Sequence, residues 1–388
     1  MKGVVYQGPY QVEVDQELPM PRVLDPRDAV VRVTRTAICG SDLHPYRGEM
    51  PDFAIGTVLG HEFAGVLVEA GADVPFAVGD RVFASDLVAC GRCPNCARGW
   101  HYHCAQASLF GYSTVVGPSI AGGQAEYVRV PFADVVLARS PDELTDEQVL
   151  FVGDVLTTGY AAAADAEINP GDVVGVVGAG PLGVLSAMCA AALGAGAVII
   201  ADPDPARRAA AVSMGLRAAA PEELGAALHS VSDGQGARAV IEAVGNDAAL
   251  NCALHSAGPR ATVVAVGAHS AVAMPFPSGL AFTKELTVRF TVGDPIRHRG
   301  PVLRLIQDGL IDPARIISHR LPLSDARRGY ALFDRKAAFK VVLTVDGVTD
   351  RPGMAVGTGR QRGRPRLTEL PGFGDIQCRS PFSEGEEG

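Results

Sequence analysis

The chain is predicted to be an α/β protein in two parts, an irregular β-rich part followed by a doubly wound parallel sheet. Three observations carry that expectation. Up to about residue 150, short Val-rich runs are separated by Gly, Pro and Asp. Near Leu156 the texture switches to apolar β runs alternating with Ala-rich stretches of helical length. At the first such junction stands a glycine-rich turn. A length of 388 residues gives room for two domains.

In the first part, strands are expected at Ala29–Val33, Glu62–Val68 and Ala125–Val130. In the second they are expected at Val173–Val177, Ala197–Ala201, Ala239–Ala243 and Thr262–Val266, with a helix over Pro181–Ala192 between the first two. A β-like run, Leu286–Val292, should close that sheet. A helix near Gly300–Asp308 and a last strand, Phe339–Val345, then return the chain to its first part. The expected domains are thus 1–154, 155–292 and a returning 293–345. Residues 346–388, rich in Gly, Pro and Arg without apolar periodicity, read as a disordered tail.

No apolar stretch approaches the roughly 20 residues that span a bilayer. Met1 leads directly into a strand-like pattern with no signal peptide, so a soluble, cytoplasmic protein is expected. A formal charge of −9 argues against nucleic acid as partner. The tail run Arg362-Gly363-Arg364-Pro365-Arg366 resembles an arginine hook for AT-rich minor grooves, but a short match in an Arg/Gly stretch reads as a solvated linker. Eight cysteines in a chain of this kind favour metal binding or free thiols over disulfides.

Gly178-Ala179-Gly180-Pro181-Leu182-Gly183 places G-x-G-x-x-G at the end of a buried strand and the start of a helix. The first two glycines let the backbone turn and approach a pyrophosphate, and the third lets helix and strand pack closely. The helix N-terminus adds N–H groups and partial positive charge for the phosphates. The second strand ends at Asp202, where a carboxylate accepts hydrogen bonds from the adenosine ribose and repels a 2′-phosphate. NAD is therefore expected rather than NADP, with Arg207 and Arg208 either solvated or at the ribose.

Two sets of residues suit metals. Cys90, Cys93, Cys96 and Cys104 form C-x2-C-x2-C-x7-C, four soft ligands for a closed structural Zn²⁺. His101 and His103, inside that loop, are expected to be ordinary polar residues. The second set is dispersed: Cys39, His61 and either Asp154 or Glu62 would give the three protein ligands of a catalytic zinc, leaving Asp42 to orient the His61 ring.

The segments CGSDLH at 39–44, GHEFAG at 60–65, VGDRV at 78–82, the four-Cys loop, TTGY at 157–160 and GAGPLG at 178–183 occur together in this order. In that combination the chain resembles the zinc-containing medium-chain alcohol dehydrogenases over residues 1–345, nearest the bacterial branch of formaldehyde, threonine and polyol dehydrogenases. The resemblance implies a GroES-like catalytic domain built from both ends of the chain, a central Rossmann domain and a cleft between them. It also implies a homodimer or homotetramer.

Carried over by position, Cys39 and His61 become zinc ligands, with Asp154 the first choice for the third and Glu62 the alternate. Ser41 matches the hydroxyl residue beside the substrate oxygen, and His44 the outer member of a proton relay. Thr158 would lie against the nicotinamide, and Lys340 near the pyrophosphate. Gly40 stands where liver-type members carry a basic residue, which points away from a simple ethanol enzyme.

The implied reaction is hydride transfer between a primary or secondary alcohol and NAD, with Zn²⁺ as Lewis acid and Ser41 and His44 in the proton path. The alternative is an aldehyde dismutase with retained NAD, whose long cofactor-covering insertion is absent from this sequence. Leu43, Tyr46, Phe53 and Phe110 are expected to line the substrate pocket.

Overall fold

The computed structural model describes residues 1–269 and 273–345. The segment expected to be a disordered tail, with its arginine run, lies outside them.

Val173–Val177 is buried at every position, the pattern of a strand covered on both faces of a parallel sheet. It sits near the middle of six parallel strands in the order Arg217–Ala219, Ala197–Ala201, Val173–Val177, Ala237–Glu242, Ala257–Ala265, Thr287–Phe290. The helix Pro181–Ala192 takes its bounds from the predicted ones, with Gly180 as N-cap and Pro181 at the first turn, where the missing N–H costs nothing. Further helices of this half include Val155–Asp165, Asp247–Ser256 and Pro295–Gln307, the last five residues longer at its N-terminus than expected.

A seven-stranded sheet joins segments from residues 29–139 to the returning segment 319–344. Its strands run in the order His319–Pro322, Val341–Thr344, Ala29–Ile38, Phe63–Ala70, Arg81–Ala84, Leu137–Arg139, with Tyr127–Val130 also paired to Ala29–Ile38. Val341–Thr344 lies antiparallel to Arg35–Ile38, so the returning strand borders the segment leading into Cys39.

A single core cluster unites Phe83, Val342, Phe151 and Leu156 with Val174 and Ile241, so the segment around 150–156 packs both sheets together. Phe151 is fully buried there, worth about 2–3 kcal/mol of apolar burial. Among the described residues no helix is long and apolar enough to cross a membrane.

Candidate active site

Cys39 follows the strand Ala29–Ile38, and His61 precedes Phe63–Ala70, its antiparallel neighbour. Asp154 stands at the N-cap of the helix Val155–Asp165. These three positions, far apart in sequence, converge. Cys39 Sγ lies 3.4 Å from Asp154 Oδ2, and His61 Nε2 lies 3.3 Å from the same oxygen. Ligands on a tetrahedral Zn²⁺, with bonds of about 2.0–2.3 Å, are separated by comparable distances.

Asp42 stands behind the histidine, its Oδ1 3.3 Å from His61 Nδ1. Its other oxygen accepts the Cys39 N–H at 2.9 Å and the Gln124 amide at 3.3 Å. Asp42 therefore adjoins both Cys39 and His61. Burial works against a charged His61, but the Asp42 and Asp154 carboxylates outweigh it and hold the imidazole well above its usual basicity.

Charge supplies a second test of fit. Asp42, Glu62 and Asp86 are all at most 3 % exposed, and Asp154 lies against Cys39 and His61. Lys340 is the fully buried cation beside Glu62. Burial, with Asp154 nearby, pushes the Asp86 carboxyl up to about 8. A buried cluster with this excess of acids suits a divalent cation.

Glu62, expected as the alternate ligand, is not part of the converging set. Its Oε2 accepts from Lys340 Nζ at 2.5 Å, deep in the core. Lys340 in turn corrects the expectation that it sits at the pyrophosphate: it is 1 % exposed and its ammonium is held between Glu62 and the Phe151 ring. Burial favours the neutral amine, but Glu62 overrides this and raises its pKa.

Ser41 Oγ lies 3.2 Å from His61 Nε2, on the side where the three ligand atoms meet. His44 is partly exposed, with Nδ1 2.6 Å from Glu49 Oε2. Tyr112, which no motif marks, donates its hydroxyl to Ser41 O at 2.8 Å and sets its ring edge-on to His61. The expected pocket residues Leu43, Tyr46, Phe53 and Phe110 are instead buried in the core beside the seven-stranded sheet, Phe110 completely and stacked edge-on to Phe63.

The four thiols of Cys90, Cys93, Cys96 and Cys104 also converge, with Cys93 and Cys104 Sγ 3.9 Å apart. Apart from Leu87, Ala89 and three of these cysteines, the loop has almost no core of its own. His103 is exposed, whereas His101, also expected to be an ordinary polar loop residue, is buried and paired with Asp294.

The glycine-rich turn is built as the motif demands. Gly178 has φ +101°, and a Cβ on Gly183 would sit 1.7 Å from Gly178 O. Asp202 accepts the Ala179 N–H at 2.8 Å, which ties the second strand to the turn. Arg207 approaches Asp202 at 3.7 Å and lies over Gly180, while Arg208 donates to the Asp202 carbonyl. Leu182 is half-buried beside Pro181 in the first helical turn. Thr158 Oγ1 donates to Asp154 Oδ1 at 3.2 Å, so the Thr157–Tyr160 segment adjoins the converging ligands.

Comparison with known proteins agrees with this architecture. Residues 25–141 match the alcohol dehydrogenase GroES-like domain family, and residues 181–307 the zinc-binding dehydrogenase family. A Mycobacterium tuberculosis protein described as a "Probable zinc-binding alcohol dehydrogenase" is 36% identical over 85% of this chain and 85% of its own. The chain belongs to the zinc-containing medium-chain alcohol dehydrogenases. A zinc-type alcohol dehydrogenase-like protein of Bacillus subtilis is 34% identical over 88% of this chain and 100% of its own. The solved alcohol dehydrogenase from Thermus sp. ATN1 superposes with a TM-score of 0.85 at 39% identity, covering 89% of this chain and 100% of that one. The fold is accordingly a GroES-like part joined to a Rossmann-type parallel sheet, and the protein is an alcohol oxidoreductase of the zinc type.

Proposed function

We propose that the protein interconverts a primary or secondary alcohol and its aldehyde or ketone, with NAD as coenzyme, at a Zn²⁺ held by Cys39, His61 and Asp154. The observation that carries this is the convergence of those three ligand atoms, with Asp42 aligned behind His61. When bound, Zn²⁺ supplies Lewis acidity that lets an alcohol shed its proton near neutral pH, and NAD supplies the hydride acceptor.

The protein's own residues prepare that exchange. Ser41 Oγ, beside the ligand cluster, is positioned to accept the hydroxyl proton. His44, partly exposed and paired with Glu49, is the group that passes a proton to solvent. Thr158, tethered to Asp154, supports the nicotinamide face. The turn Gly178–Gly183, with Gly180, Pro181 and Leu182 at the helix N-terminus, receives the pyrophosphate. The Asp202 carboxylate takes the adenosine ribose and disfavours a 2′-phosphate, with Arg207 flanking it. Cys90, Cys93, Cys96 and Cys104 hold a second, closed Zn²⁺.

Phe282, Phe290 and Val292 are exposed on or beside the outer strand Thr287–Phe290, which supports a homodimer or homotetramer.

A panel of primary, secondary and polyhydric alcohols, followed by NADH absorbance with NADP in parallel, tests this reading. NAD reduction by at least one alcohol, faster than NADP reduction, is expected. A clear NADP preference would reverse the Asp202 argument, and silence across the panel would overturn the reaction.

A further inference from the structure

The four-cysteine loop ends in a turn, His101–His103, whose first two side chains reach different parts of the reaction site. His101 donates its backbone N–H to Asp294 Oδ2 at 3.1 Å, and its Nδ1 lies 2.9 Å from both oxygens of that carboxylate. Both residues are buried. Asp294 also caps the helix Pro295–Gln307, accepting from the Arg297 N–H at 3.0 Å. Burial disfavours its charge, but the His101 hydrogen bond outweighs this and holds the carboxyl below its ordinary range.

The residue before Asp294 carries the contact onward. Gly293 lies so close to Thr158 that a Cβ there would sit 2.1 Å from Thr158 Oγ1. Thr158 Oγ1 in turn donates to Asp154. From His101 a continuous series of contacts therefore runs through Asp294, Gly293 and Thr158 to Asp154.

Tyr102 makes a second, shorter connection. Its hydroxyl donates to Asp86 Oδ2, and the Asp86 N–H donates at 2.9 Å to the carbonyl of Gly153, the residue before Asp154. Ile296, from the helix that Asp294 caps, packs on the cysteine cluster itself. A loop whose own core is a few small side chains and thiols, yet which grips two separate segments of the site, does more than order itself.

We propose that the His101–Tyr102 turn positions the reaction site, His101 setting the segment beside Thr158 through Asp294, and Tyr102 setting the segment that carries Asp154 through Asp86. The assignment rests on the coenzyme and ligand roles given above to Thr158 and Asp154. It makes the four-cysteine loop a working part of the cleft, coupled to coenzyme binding. Such coupling is reciprocal: what the loop does to coenzyme affinity, the bound coenzyme does to the loop.

The chain contains one tryptophan, Trp100, half-exposed and adjacent to His101, and it reports on this turn. The experiment titrates the zinc-replete full chain with NAD, and in parallel with NADP, reading Trp100 emission and measuring Kd by calorimetry. Trp100 emission is expected to change along the calorimetric isotherm. Asp294→Ala should raise the coenzyme Kd about tenfold and abolish the emission change, with Asp294→Asn restoring most of the affinity. Tyr102→Phe should lower kcat about tenfold with the coenzyme Kd unchanged. Circular dichroism confirms that each variant is folded, and Asp294→Asn serves as the conservative check. A wild-type protein that binds coenzyme with Trp100 unmoved, while Asp294→Ala keeps its Kd and Tyr102→Phe its kcat, overturns the proposal. A wild-type protein that binds neither coenzyme overturns the coenzyme reading, and this inference with it.

Discussion

The Lys340 ammonium donates to Glu62 Oε2 at 2.5 Å, and this pairing leaves Asp154 as the carboxylate that faces Cys39 and His61. The glutamate next to His61 in sequence is thereby turned away from the Cys39–His61–Asp154 cluster by a lysine at the start of the returning strand. The pairing turns an ambiguity of motif into a difference that zinc content can measure.

Asp154→Ala should therefore lose the catalytic zinc, and Glu62→Gln should keep it. Elemental analysis of the purified proteins is expected to give about one zinc per chain for Asp154→Ala and about two for Glu62→Gln. Equal loss in both would return Glu62 to the ligand set. Asp42→Asn should weaken zinc at the same site about 10–100-fold, because Asp42 aligns the His61 ring without touching the metal.

Lys340→Met removes the partner of a fully buried carboxylate. Urea unfolding should show a loss of about 3–5 kcal/mol, much of it recovered when Glu62→Gln is added, since the cost comes from the uncompensated charge. A variant of wild-type stability with weakened coenzyme binding would instead favour a phosphate role for this lysine.

Asp86 gives a pH test. Its folded-state pKa of about 8 exceeds the ordinary carboxyl value, so the folded state binds the extra proton. Its contribution to stability is complete below about pH 4 and disappears as pH rises through 8. Asp86→Asn should remove that decline in the zinc-free protein, so the variant gains on wild type between pH 5 and 9. Parallel unfolding-stability curves across this range would contradict the assignment.

The cysteines of the loop differ in their acidity. Backbone N–H groups of Cys96 and Ala105 lower Cys93 to about 6, whereas burial raises Cys96 to about 12. After chelation, iodoacetamide at pH 7 should label Cys93 first and Cys96 late, read by peptide mass spectrometry, because the thiolate is the nucleophile. Zinc should protect all four.

How much of this could be read beforehand depended on sequence distance. The dinucleotide turn and the four-cysteine set are contiguous, so spacing alone specifies their geometry, and the helix Pro181–Ala192 and strands Val173–Val177 and Ala197–Ala201 match their predicted bounds. The strand Arg217–Ala219 escaped because three residues, one of them an arginine, carry no periodicity. Glu62 and Lys340 are 278 positions apart, and His101 and Asp294 are 193 apart. Such pairings arise only when the returning strand and the helix Pro295–Gln307 dock, and no local pattern encodes them. The aromatic residues expected in the pocket were taken into the core by the same packing, a fate that apolar character alone does not distinguish from a substrate wall.

The most direct test of the account removes the metal at one ligand. Cys39→Ser, prepared with zinc present, should retain the zinc of the four-cysteine loop and bind NAD with wild-type affinity in calorimetry. Its alcohol-dependent NAD reduction should be essentially lost. Turnover at the wild-type rate in that variant would contradict a catalytic zinc at Cys39, His61 and Asp154.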